Sequence, residues 1–362
     1  MKDPFRRVEA HLHRRSGIRD LDDLRAHLQT AIAVEQATLP PYLTALYSIQ
    51  GAANSEPAQA IRSVAMEEML HMVLAANVLV ALGGEPSLTQ PGFVPRYPCR
   101  LPDAAPTMRA SLAKFSPTTI ESFMRIEHPE RPGAPAQADH YHSLGQFYRA
   151  IENAFREPRI HAEIEEYWGA HPPTGTWARQ VGPEEFYGSG GAALFVTSFA
   201  TAHRALDEIM DQGEGFVGVG RRDSIGDGDA SKFGEPWHAA HYYRFQQIVL
   251  GRVYQRGDAP DKPSGPLLTV DWAGAANVRP NPHVAEFRRV KSFAVPKMEA
   301  FNRCYQAMLA GIQSRFRGDT AQFPQAVGHM MELRVLAREL MNIPSGFDDG
   351  TMAGPSFEPE EI

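Results

Sequence analysis

The chain has 362 residues, 43% hydrophobic and 22% charged, with a formal net charge of −7. That is ordinary for a soluble globular protein large enough for two domains, or for one domain with embellishments. Lys and Arg are scattered, as in Arg14-Arg15 and Arg221-Arg222, so no basic stripe argues for a nucleic-acid partner. Cys99 and Cys304, the two cysteines, form no CxxC or zinc-type spacing, and they read as ordinary thiols in a reducing compartment. The opening residues lack an apolar stretch of the signal-peptide kind, and no run of about 18 apolar residues stands out. The expected location is the cytoplasm, with no membrane partner.

In chain order, residues 20–50 and 56–82 read as two helices separated by Gly51 to Ser55, a helical hairpin. Residues 83–143 are rich in Pro and Gly and read as a long crossover. A helix follows at 144–157, then helices at about 190–213 and 236–253. A Pro/Gly segment, 257–283, leads to a last helical pair at about 285–313 and 320–342. The expected class is mainly α. Two helical hairpins joined by a long crossover is the connection pattern of a ferritin-like four-helix bundle. The expected division is a metal-binding bundle with its crossover over 1–255, a C-terminal helical extension packed on it over 256–343, and a loose tail over 344–362.

The first helix carries an apolar stripe at Leu24, Leu28, Ile32, Leu39, Tyr42 and Leu46. The position missing from the seven-residue gap is Glu35, which places a carboxylate in the middle of the core face. The second helix repeats the anomaly along Ile61, Val64, Glu68, His71, Ala75, Val78 and Leu82. Glu67 lies off that stripe and is expected in solvent. Glu68 and His71 form an ExxH unit whose members are neighbours on a helix and can bind one ion together. An unpartnered buried carboxylate costs on the order of several kcal/mol, against a domain stability of roughly 5–15 kcal/mol. Three such groups at one level therefore need a cation. Carboxylate with imidazole suits iron, one or two ions, or manganese.

Glu35 precedes the turn by about as many residues as Glu68 and His71 follow it, so an antiparallel pair brings them to one height. The other half of the site is expected from the second hairpin. His238 and His241 share a stripe with Phe245 and Ile248. Glu214 is the first choice for their carboxylate partner, with Asp211 and Glu208 in reserve, and Glu152 is a further candidate ligand. Pro40-Pro41 is read as a kink beside a ligand that opens room for substrate or dioxygen. Tyr42, Tyr47 and Tyr148 are placed to shape that pocket, with Tyr42 and Tyr148 the candidate catalytic residues.

At these residues the chain resembles the ferritin-like domain family named for iminophenyl-pyruvate dimer synthase, of violacein and indolocarbazole pathways. The resemblance rests on Glu35-Gln-Ala-Thr-Leu-Pro-Pro-Tyr-Leu-Thr-Ala-Leu-Tyr-Ser-Ile49 and Glu67-Glu-Met-Leu-His71. It is supported more softly by Leu144-Gly-Gln-Phe-Tyr148, Asp211-Gln-Gly-Glu-Gly215 and His241-Tyr-Tyr-Arg-Phe245. It implies metal ligands at Glu35, Glu68, His71, Glu214 and His241, and oxidative chemistry on an amino-acid-derived substrate. In secondary metabolism that chemistry includes coupling of imine forms of a 2-oxo acid. One departure stands out: a ferritin-type last helix would show ExxH, and here the first position is His238.

The expected activity is that of a metal-dependent oxidoreductase using dioxygen or peroxide on a small molecule, and the aromatic residues near the bundle permit an aromatic one. A homo-oligomer is compatible with it. A ferroxidase or storage bundle and a non-catalytic helical scaffold are the competing readings.

Overall fold

The computed structural model describes residues 17–130, 133–186, 191–213, 239–255 and 257–359. Helix α1 (Leu21–Ser48) is started by Asp20, whose side chain accepts from the Asp23 amide; such a cap satisfies one of the free N–H groups of the first turn. It runs antiparallel to α2 (Ser55–Ala81), and these two long helices form the central contact of the fold. The polar face of α2 is small because α1, α6 (Phe199–Gly213) and α7 (His241–Leu250) all pack on it. An 18-residue window of α2 has mean hydropathy 1.5, long and apolar enough to cross a membrane, yet 89% of that window is buried inside the protein.

The crossover is more ordered than its composition suggests. Strands β1 (Cys99–Arg100) and β2 (Arg109–Ala110) pair antiparallel, with Cys99 opposite Ala110. Helix α3 (Pro117–Ile126) follows, capped by Ser116 with Pro117 in the first turn. Helix α4 (Leu144–Arg156) is capped by Ser143 and leads directly into α5 (Pro158–Ala170). Among the described residues, α3 packs on α7 and α4 packs on α6. The expected second hairpin is therefore divided: α7 takes its main partner, α3, from the crossover, and α6 packs on α2 and α4. Helix α7 also starts later than the sequence reading has it, since Ala239 and Ala240 are described outside the helix.

Helix α1 continues through Pro40 and Pro41 without a break. Proline has no N–H, so the carbonyls four residues earlier, Gln36 and Ala37, lose their helical donors. The Tyr97 hydroxyl donates to the Ala37 carbonyl at 2.8 Å, restoring one of the lost bonds. At the next turn the Thr44 hydroxyl donates to the Pro40 carbonyl at 2.7 Å.

After α8 (Val284–Arg289), helices α9 (Val295–Phe316) and α10 (Phe323–Leu340) form the C-terminal pair. Gln36 of α1 donates to the Tyr305 hydroxyl of α9. Gln313 Oε1 accepts the Leu88 amide at 2.6 Å, and Arg315 pairs with Glu185 at 2.6 Å while donating to the Gln180 carbonyl. The segment after Pro344, expected to be loose, is packed as far as it is described. Phe357 is fully buried between the rings of Phe301 and Tyr305, and Asn302 bonds both Ser356 and the Glu358 amide. An aromatic edge-to-face contact of this kind adds to the area buried, which explains the order.

Tyr97→Phe keeps the ring and removes only the hydroxyl that serves the proline-orphaned carbonyl. A buried acceptor left unpaired costs about 1–3 kcal/mol, so chemical denaturation should show a loss of about that size. An unchanged midpoint would mean that the carbonyl finds another donor.

Candidate metal centre

Four elements deliver ionisable groups to one buried place. Glu35 comes from the middle of α1; Glu67, Glu68 and His71 from the middle of α2; Glu127 from the C-terminal cap of α3; and His241 from the first position of α7. All are at most 1% exposed. Glu35, Glu68 and His71 form one set whose ligand atoms lie within 4.8 Å of one another, and Glu68, Glu127 and His241 form a second. Glu68 belongs to both sets.

The orientation of each group is consistent. His71 Nδ1 lies 3.6 Å from Glu35 Oε2 and 3.8 Å from Glu68 Oε1, while its Nε2 meets Gln212 Oε1 at 3.1 Å. His241 Nδ1 lies 2.9 Å from Glu68 Oε1 and 3.5 Å from Glu127 Oε2, while its Nε2 meets Glu67 Oε2 at 2.9 Å. The two imidazoles stack with centroids 5.3 Å apart. Both rings thus turn Nδ1 inward and tie Nε2 to an outer acceptor, the arrangement that fixes the tautomer of a metal-binding histidine. Gln212 is itself held by donating to Glu208 Oε1 at 2.7 Å.

The carboxylates follow the same rule. Tyr148 donates to Glu35 Oε1, Tyr42 donates to Glu127 Oε1, and Thr38 lies 2.5 Å from Glu68 Oε2. Glu35 Oε2, Glu127 Oε2 and His241 Nδ1 are buried without a hydrogen-bond partner. Buried polar atoms are ordinarily satisfied, and these three all point into the two sets. One cation in each set would satisfy them, so the donors fit a pair of divalent ions held by oxygen and nitrogen.

The electrostatics separate inner from outer groups. Burial pushes Glu35 up to about 7, with Glu127 adding to the rise and the Tyr148 bond opposing it. Glu68 is raised by burial and by Glu35, and Glu127 by burial and by Glu68. Burial would also raise Glu67, but the Arg244 guanidinium 2.9 Å away and the bond from His241 outweigh it and hold Glu67 down at about 2. Burial lowers His71. Burial also opposes charge on His241, but the surrounding carboxylates of Glu127, Glu67 and Glu68 raise it well above the ordinary value.

The structure brings Glu35, Glu68, His71 and His241 of the sequence-derived ligands together. Glu214 and His238 lie outside the described residues. Glu152 is turned away from both sets: it pairs with Arg156 at 2.5 Å, and His203 Nδ1 lies 3.8 Å off. Glu67, expected in solvent, is fully buried, because α2 has other helices where an amphipathic helix would have water. Glu127 escaped the sequence reading although the signal was present. Ser116-Pro117 is a helix start, and Ile120, Phe123 and Glu127 follow at spacings of three and four, again a carboxylate on an apolar stripe.

Ligand carboxylates must be ionised to hold a cation, so binding is linked to proton release. In the metal-free protein the raised Glu35 favours folding below the ordinary carboxylate value of 4.5, and that contribution is lost as pH rises through about 7; the swing is on the order of 3 kcal/mol. Added Mn(II) should therefore raise the melting temperature more at pH 7.5 than at pH 5.5. A metal-induced shift independent of pH would remove these carboxylates from the binding set.

A ferritin-like family model matches residues 28–250, a range that includes every one of these ligands. Dichlorochromopyrrolate synthase of Lentzea aerocolonigenes is 26% identical, over 96% of this chain and 37% of that protein. The 2-imino-3-(indol-3-yl)propanoate dimerase of Chromobacterium violaceum is also 26% identical, over 92% of this chain and 33% of that protein. The chain thus spans about a third of the length of the curated relatives it matches. The crystal structure of a ferritin-like protein from Caulobacter vibrioides superposes with a TM-score of 0.57 at 22% identity, covering 92% of this chain and 97% of that one, a likeness of fold. With 223 of its 362 residues matched and its carboxylates and imidazoles gathered within the matched range, the chain belongs to the ferritin-like family.

Proposed function

We propose that this chain is a di-metal carboxylate oxidoreductase, with iron as the metal, that acts on a small amino-acid-derived molecule. The observation that carries the reading is the pair of Glu/Glu/His sets sharing Glu68, with three inward-facing atoms left unsatisfied. Glu35, His71, Glu68, Glu127 and His241 would hold the ions. When bound, such a pair supplies electron transfer to and from dioxygen or peroxide.

The chain's own residues do the positioning. Tyr148 and Tyr42 fix one oxygen each of Glu35 and Glu127. Glu67, held ionised by Arg244, keeps His241 in the tautomer that frees Nδ1. The aromatic wall of Tyr42, Phe123 and Phe245, with centroids 4.6 to 5.3 Å apart, excludes water beside Glu127.

The dimerase relative's name points to coupling of two imino acid molecules, and we extend that class of reaction to this chain. Joining the two side-chain carbons of a pair of enamine tautomers forms one C–C bond and removes two electrons and two protons. Peroxide accepting both becomes two molecules of water.

Elemental analysis of protein reconstituted with Fe(II) tests the centre. Two equivalents are expected in the wild type, near none in Glu68→Ala, and about one in Glu127→Ala, with helix content retained by circular dichroism. Loss of the tyrosine bond in Tyr42→Phe or Tyr148→Phe should weaken metal binding by about 10- to 100-fold. Incubation with an aromatic 2-imino acid generated in place should yield a dimer lighter by two hydrogens on mass spectrometry. Iron-free protein whose stability is unchanged by Glu68→Ala would sink the proposal.

A further inference from the structure

A second cluster of metal-binding groups lies in the C-terminal pair, on helices that contribute none of the ligands described above. Cys304 of α9 faces His329 and Glu332 of α10. Cys304 Sγ is 3.7 Å from His329 Nδ1 and 3.5 Å from Glu332 Oε2, and those last two atoms are 3.3 Å apart. His329 and Glu332 are three residues apart and therefore adjacent on one face of α10. The thiol is buried, the imidazole is about one-third exposed and the carboxylate just over half exposed.

We propose that Cys304, His329 and Glu332 form a site for a borderline-soft divalent ion, Zn(II) in the first instance, with water in the fourth position. The edges of the triangle carry this assignment. A tetrahedral zinc with ordinary bond lengths separates its sulfur and nitrogen ligands by about 3.6 Å, sulfur and oxygen by about 3.5 Å, and nitrogen and oxygen by about 3.3 Å. The three separations here match that pattern, so the donors stand ready without rearrangement. Three protein ligands leave one position open, and the two exposed ligands direct it to solvent.

The donor set also distinguishes this site from the first. Thiolate with imidazole favours zinc, whereas the carboxylate-rich centre favours harder ions. Without an ion the thiol is poorly placed to ionise, because burial and the neighbouring Glu332 push it up to about 12. Zn(II) displaces the thiol proton to solvent and forms the Zn–S bond in its place. The bound ion would tie α9 to α10 at a point otherwise joined by weak hydrogen bonds of the Cys304 thiol to His329 and Glu332.

Cobalt(II) titration of the metal-free full-length protein provides the test, because a thiolate bound to cobalt gives an intense near-ultraviolet charge-transfer band. The carboxylate–histidine centre has no sulfur and contributes none. We expect a band that saturates at one equivalent, is bleached by Zn(II), is lost in Cys304→Ala and persists in Cys99→Ala. His329→Ala and Glu332→Gln change exposed side chains and should leave folding intact while weakening Zn(II) binding about 10-fold or more. Cobalt taken up with no thiolate band, or a band surviving Cys304→Ala, would overturn the assignment and leave a hydrogen-bonded triad.

Discussion

Four carboxylates and one guanidinium share a single buried place in this molecule. Glu35, Glu67, Glu68 and Glu127 bring four potential negative charges, and Arg244 brings one positive charge. With neutral imidazoles and all four carboxylates ionised, three negative charges remain uncompensated. The penalty for each is several kcal/mol, comparable in sum with the whole stability of a domain. Protonation relieves part of it, as the raised carboxylates indicate. A pair of cations relieves it more fully and satisfies the orphaned atoms as well.

The surrounding architecture follows from holding those groups in place. A hairpin of two long helices supplies Glu35, Glu68 and His71 but closes only one side. Glu127 and Tyr148 must come from elsewhere: the crossover provides Glu127 through α3, and the helix after it, α4, provides Tyr148. Placing Glu127 at a helix C-terminus sets it against the negative end of the helix dipole, a strain that a cation removes.

What was legible in the sequence depended on whether a residue's role could be read from one helix alone. Glu35, Glu68 and His71 interrupt apolar stripes long enough to be seen, and the hairpin spacing brings them level. Glu127 interrupts a stripe too, but α3 has ten residues and sits between Pro- and Gly-rich stretches, where periodicity has too few turns to register. Glu67 was misplaced for a different reason: stripe reasoning assumes that an off-stripe residue meets water, and α2 meets other helices there. Gln212 was invisible because an amide becomes an outer partner of a histidine only through tertiary contact. The packed tail was equally hidden. Phe357 has no local pattern, and its order comes from two rings more than fifty residues away.

Glu35 and Gln36 are adjacent in sequence and turn to opposite sides of α1. One enters the buried carboxylate–histidine cluster; the other bonds Tyr305 of the C-terminal pair. Immediately beyond them the helix loses two backbone donors to Pro40 and Pro41, and Tyr97 of the crossover takes up the Ala37 carbonyl. The stretch of α1 that carries the ligand is therefore the stretch whose own hydrogen bonding is weakest and whose external bracing is densest. A helix held by side chains from two other segments keeps a carboxylate in place. On this view the C-terminal pair and the crossover act as the outer frame of the centre, and the double proline is tolerated because that frame replaces what it removes.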